Sequence, residues 1–196
     1  MKYGLDLSEN NEKFIYDDDF WEVLKNSNWT DFIILRLGYG VDPEQDSCFL
    51  HSYKKAKEIG IDDISAYWFC YSMDAEDAVI EANNAINMIE DLGVGVSRIW
   101  ADIEDNKKWQ KYGFDYSEFN ITSIAKAWCD VFKEHGYNTG IYANLGFFEN
   151  YIDYVALQQP IWLAHYSSEA GMENLIWQKG EDLYLDGYGP FDYNVK

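Results

Sequence analysis

The chain has 196 residues, 47% of them hydrophobic and 18% aromatic, which suits one folded domain with a sizeable core and excludes a disordered or collagen-like protein. Its 15 basic and 35 acidic residues leave a formal charge of −20, which repels a phosphate backbone and argues against nucleic acid as a partner. Cys48, Cys70 and Cys129 lack zinc-like spacing and read as buried thiols, the opening MKYGLDLSEN has no apolar run of a secretory signal, and no stretch of about 18 apolar residues predicts a membrane span.

Short apolar runs alternate with longer helical patterns. Strands are expected at Met1–Leu5, Phe32–Leu37, Ile64–Phe69, Arg98–Ile103, Thr139–Tyr142 and Ile161–Ala164. The continuous β-branched run at Phe32–Leu37 marks a strand buried on both faces. Helices are expected at Asp46–Ile59, Asp74–Leu92 and Ser117–His135, each stopped by a glycine (Gly60, Gly93, Gly136), with a short one at Gly146–Tyr151. Such alternation implies a parallel sheet. The runs Leu175–Gln178 and Phe191–Asn194 follow gaps with no helical period, so hairpin-like turns are expected there. The pattern predicts a single-domain α/β barrel over residues 1–196, with helices only in its first five connections.

Polar residues recur at or near the carboxyl ends of these runs: Asp6, Arg36, Tyr67, Tyr71, Asp102, Glu104, Tyr142 and Asp192. In a β/α barrel all those ends open on one mouth. In Trp100-Ala-Asp-Ile-Glu-Asp105, alternation points Asp102 and Glu104 to the same side, with Cα atoms about 6.5–7 Å apart. Carboxyls so close, joined by Asp6 and Asp192, cannot all ionise independently, and at least one pKa rises. A protonated acid beside negative charge is what glycosidic bond cleavage requires. Chance surface acids and a magnesium or calcium site are the other readings of an acidic cluster. Tyr67, Trp68, Tyr71, Trp100, Tyr142, Trp162, Tyr166 and Trp177 lie in or beside the strands; their flat faces suit pyranose rings, although any one of them also fits a core.

Gly4-Leu-Asp6-Leu-Ser8, Asp31–Gly40, Trp100–Glu104, Gly140-Ile-Tyr-Ala143, Ile161-Trp-Leu-Ala164, Trp177-Gln178 and Phe191-Asp-Tyr-Asn194 occur in the order seen in glycoside hydrolase family 25. The resemblance covers residues 4–194. It implies a TIM-like (β/α)5(β)3 barrel that hydrolyses the β-1,4 bond between N-acetylmuramic acid and N-acetylglucosamine in bacterial peptidoglycan, without metal or cofactor. Glu104 then resembles the general acid and Asp102 the second carboxylate, while Asp6 and Asp192 match the pair completing the cleft floor. Arg36, Tyr67 and Tyr142 resemble supporting or substrate-contacting residues, and Tyr71, Trp162 and Trp177 are further candidates for contacting sugar. Many members carry a histidine after the tyrosine of the third strand, where this chain has Trp68, so a difference in subsite detail is expected there.

The resemblance further implies that protonated Glu104 donates to the glycosidic oxygen while Asp102 steadies positive charge or holds the 2-acetamido group. A chitinase-like barrel with an inward DxE pair and an inactive glycan-binding barrel are the competing readings. A monomer acting at the bacterial cell wall is expected, as a phage endolysin or as a domain of a secreted protein.

Overall fold

A computed structural model describes residues 1–196. Strand β1 (Tyr3–Leu7) leads through the short helices α1 (Glu12–Ile15) and α2 (Asp18–Lys25) to β2 (Phe32–Tyr39). The two-residue strand β3 (Glu44–Gln45) folds back on β2 before α3 (Phe49–Glu58) and β4 (Ile64–Phe69). Next come α4 (Ala75–Leu92), β5 (Ile99–Asp102), α5 (Lys107–Tyr112), α6 (Glu118–Glu134) and β6 (Thr139–Asn144). Helices α7 (Leu145–Asn150) and α8 (Tyr154–Leu157) precede β7 (Ile161–Ala164), and β8 (Ile176–Leu185) and β9 (Tyr188–Val195) end the chain. The strand order β1-β9-β8-β7-β6-β5-β4-β2, with β1 also paired to β2, closes a barrel; β3 is an appendage on β2. Helices fill the connections up to β7 and none follows, giving the TIM-like (β/α)5(β)3 arrangement.

The helix ends follow local chemistry. Asp74 caps α4 by accepting from the Glu76 and Asp77 amides, and Gly93 ends that helix with φ +63°. Helix α3 begins at Phe49, later than its sequence pattern predicts, because Asp46 is drawn inward to Arg36 and to the Glu9 and Cys48 amides. Helix α2, which the pattern analysis leaves unassigned, starts behind the Asp17 cap and buries Phe20, Trp21 and Leu24. All three cysteines are free and buried.

The last third departs from expectation in one respect. Strands β7 and β8 pair in parallel, not as a hairpin, and residues 165–175 cross between them without a helix. That crossover is tied down at both ends: the Leu175 amide donates to Ile161 O at 2.8 Å, and Trp177 Nε1 to His165 O at 2.7 Å. The β8–β9 pair is a true hairpin, turning at Asp186 and Gly187, both with positive φ. Its arm replaces the missing helical coat: Phe191 packs on Phe14 and Phe20, with ring centroids 5.5 and 5.2 Å apart.

Two apolar layers result. The larger lies between sheet and helices, while Phe32, Ile34, Tyr67, Trp100, Tyr142, Trp162, Ala164 and Ile176 fill the barrel itself. The narrow interior takes such rings only where facing positions are small. A Cβ on Gly140 would collide with the Trp100 ring, and one on Gly4 with Phe32 O.

Candidate active site

Alternation along the strands carries the polar set to the carboxyl-terminal mouth. Above the aromatic plug, a cavity of about 200 Å³ is lined by Asp6 of β1, Arg36 of β2, Tyr67 and Phe69 of β4, Asp102 and Glu104 at the end of β5, Tyr142, Trp162, Gln178 and Asp192. The four carboxyls read from the sequence therefore converge. The hollow continues past Glu104 and Tyr142 to Asn144, His165 and Tyr166, where another about 390 Å³ is open. The largest hollow, about 590 Å³ around Arg98 and Pro160, holds none of these groups.

Asp6 is the carboxyl of the four held by two side-chain amides. It accepts Asn194 Nδ2 at 2.7 Å and Gln178 Nε2 at 3.0 Å on the same oxygen, Oδ2. Gln178 in turn accepts the Tyr142 hydroxyl at 2.9 Å, and Asn194 accepts Trp162 Nε1 at 2.8 Å. Burial still raises the Asp6 pKa, against those two amides.

Asp102 is its opposite. It is 4% exposed, and its Oδ1 is buried without a hydrogen-bond partner. Burial first, then the charges of Glu104 and Asp6, push it well above the ordinary carboxylate range. Glu104, nearer the opening, rises to about 7 through burial and then through Asp6 and Asp105. Asp192 rises to about 8 through burial and Asp6. Near neutral pH the cluster therefore holds protons, and Asp6, with two amide donors, is the member best able to stay charged.

The structure separates the remaining candidates. Tyr67, Tyr142 and Trp162 face the cavity, but Trp162 is 2% exposed and packs on Tyr67, Trp100 and Tyr142, so it is floor more than platform. Arg36 lines the cavity, yet its Nε and Nη2 are engaged by Asp46 and Glu9, each at 2.8 Å. Tyr71 stands outside the cavity, in a wall with Phe69 and Tyr39. Trp177 points to the outer face of the barrel, where its indole holds His165 O. Trp68 is fully buried beneath the helices, so the difference from the histidine-bearing members lies behind the sheet, not in the cleft. Gln178 and Asn194 were not among the candidates, although period-2 alternation from Ile176 and Asp192 points them inward.

The description Glycosyl hydrolases family 25 fits residues 5–187 of the chain. The chain belongs to that family. This family 25 hydrolase matches no curated protein. Among solved structures it resembles the modular autolysin LytC from Streptococcus pneumoniae in complex with a synthetic peptidoglycan ligand, at TM-score 0.86 and 23% identity over 98% of this chain and 46% of that one. The catalytic domain of endolysin ply40 from bacteriophage P40 of Listeria monocytogenes is similar at TM-score 0.80 and 18% identity, over 100% of this chain and 92% of that one. The Clostridium perfringens spore cortex lytic enzyme SleM is similar at TM-score 0.77 and 25% identity, over 98% and 66%. The hydrolase thus spans about half the length of the LytC chain. No helix is long and apolar enough to cross a membrane.

Proposed function

We infer that the hydrolase is an N-acetylmuramidase that cleaves the β-1,4 bond between N-acetylmuramic acid and N-acetylglucosamine in peptidoglycan, acting as a monomer at the bacterial cell wall. The observation that carries this reading is the inequality of the two carboxyls at the end of β5. Glu104 borders the opening with a pKa near 7, so it keeps a proton to give to the leaving glycosidic oxygen. Asp102, neutral beside it and lining the same cavity, can accept the 2-acetamido N–H of a bound sugar. Asp6, braced by Asn194 and Gln178, supplies fixed negative charge to the oxocarbenium-like transition state. Asp192 completes the floor. The open ground from Glu104 to Tyr166 is where the chain of sugars continues.

Mass spectrometry of fragments released from purified peptidoglycan and reduced with borohydride tests the assignment. Products ending in muramitol are expected. Products ending in reduced glucosamine would make the chain a glucosaminidase, and folded protein that binds walls without releasing reducing ends would make it a binding-only barrel.

A further inference from the structure

The segment Cys70–Met73, between β4 and α4, stands against the strand end that carries Asp102 and Glu104. Its backbone is anchored from all sides. The Cys70 amide donates to Asp102 O at 3.0 Å, and the Met73 amide to Asp77 Oδ2 at 2.9 Å. Trp109 Nε1 donates to Ser72 O at 3.0 Å, and Asn120 Nδ2 to Met73 O at 3.1 Å. The Tyr71 amide goes to Glu81 Oε1 on α4, at 2.8 Å.

Glu81 is 0% exposed and has no ion-pair partner, and its Oε2 makes no hydrogen bond; nor does the buried Ser72 hydroxyl beside it. The titratable groups around it are Cys70 from β4's end, Asp77 one turn earlier on α4 and Lys108 of α5, while Cys129 of α6 and Asp102 face Cys70. Burial raises Glu81 to about 7, against the Tyr71 amide, the Ser72 hydroxyl and Lys108. A protonated Glu81 satisfies Tyr71 through one oxygen and offers the other's proton to Ser72. An ionised Glu81 is favoured by the Tyr71 amide, the Ser72 hydroxyl and Lys108, but these do not offset burying a charge that has no ion-pair partner, which water can reach only if the segment moves. Movement there displaces Tyr71, whose ring packs on Phe69 at 5.1 Å in the cleft wall, and loosens the Cys70 link to Asp102.

We propose that Glu81 is a positioning residue for the cleft: its protonated carboxyl locks the Tyr71 wall against the Asp102 strand end, and its ionised form releases that wall and weakens glycan binding. The part concerning glycan rests on the cleft assignment above; the lock itself does not.

The test compares wild type with Glu81→Gln, which keeps the Oε1 acceptor without the charge, on soluble peptidoglycan fragments. Between about pH 5 and pH 8.5 the wild-type KM rises about three- to tenfold, the worth of one buried hydrogen bond. In Glu81→Gln that part of the rise is missing and only the change due to Glu104 and Asp192 remains, while kcat falls with pH alike in both proteins because Glu104 is untouched. Identical KM profiles in two folded proteins overturn the proposal. The protection factor of the Tyr71 amide against hydrogen exchange, measured on wild type at the same two pH values, needs neither substrate nor variant. It falls at the higher pH if Glu81 is the lock, and an unchanged value overturns it. Absence of any hydrolysis alongside a falling protection factor would remove the glycan assignment and leave the lock standing.

Discussion

Asp6 and Asn194 stand 188 residues apart in the chain and are joined at 2.7 Å inside the barrel. The bond crosses the β1–β9 seam, where the first strand meets the last, so closing the barrel and supplying a donor to the buried Asp6 carboxyl are one event. Asn194→Ala leaves Asp6 short of a donor and Trp162 Nε1 without its acceptor. At about 1–3 kcal/mol per stranded buried polar group, a loss of roughly 2–6 kcal/mol in urea unfolding is expected for the two. Activity falls with it, because Asp6 then ionises less readily. Full stability in the variant would mean that water replaces the lost amide.

Asp102 carries the opposite expectation. Its carboxyl is buried with an oxygen unpaired, and burial together with Glu104 and Asp6 opposes its ionisation. Asp102→Asn removes that burden, so the thermal midpoint at neutral pH rises or holds while kcat drops by about 100-fold or more, a trade of stability for activity. A variant that is destabilised and still active would contradict both halves.

Much of this site is legible in the sequence, because strand parity decides which side chains face inward. Asp102 and Glu104 share a face by spacing alone, and the β-branched runs placed them at one mouth. Parity was also the signal passed over at the other end of the chain. Trp177 is the conspicuous aromatic of its strand, yet Ile176 and Gln178 are the inward pair, and Gln178 is the residue that reaches Asp6. Asp46 read as the start of a helix, but local propensity cannot show that a distant Arg36 and Glu9 compete for the same residue. The parallel β7–β8 crossover was hidden for a similar reason: it is held by tertiary hydrogen bonds, such as Trp177 to His165, instead of a helix.

Trp177 therefore belongs to the scaffold. Trp177→Phe removes its bond to His165 O and with it an anchor of the 165–175 crossover, at a cost of about 1 kcal/mol. Its kcat should match wild type. Trp162→Phe, which strips the acceptor-bound indole from beside Asn194 and Tyr142, should lose activity as well as stability. Denaturant midpoints and initial rates for the pair distinguish the two roles; equal kinetic losses would return Trp177 to the cleft.

Glu104 links stability and catalysis through one proton. Its pKa is about 7 in the fold against an ordinary 4.5, raised first by burial and then by Asp6 and Asp105. A raised folded-state pKa means that the neutral carboxyl is the form the fold accepts, so the associated stability is fully present below pH 4.5 and drains away as pH climbs through 7. The same deprotonation removes the proton that the leaving oxygen needs. The unfolding free energy should thus decline between about pH 4.5 and pH 7, by on the order of 3 kcal/mol from this group, while wild-type kcat holds until the pH nears 7 and falls above it. Glu104→Gln holds a neutral side chain at every pH. Its stability curve should be flatter by that amount, with the fold intact, while kcat drops by about 10²–10⁴. The decisive comparison is between curves measured from about pH 4 to pH 9: a near-wild-type rate, or an unchanged slope in stability, would take the donor's role away from Glu104.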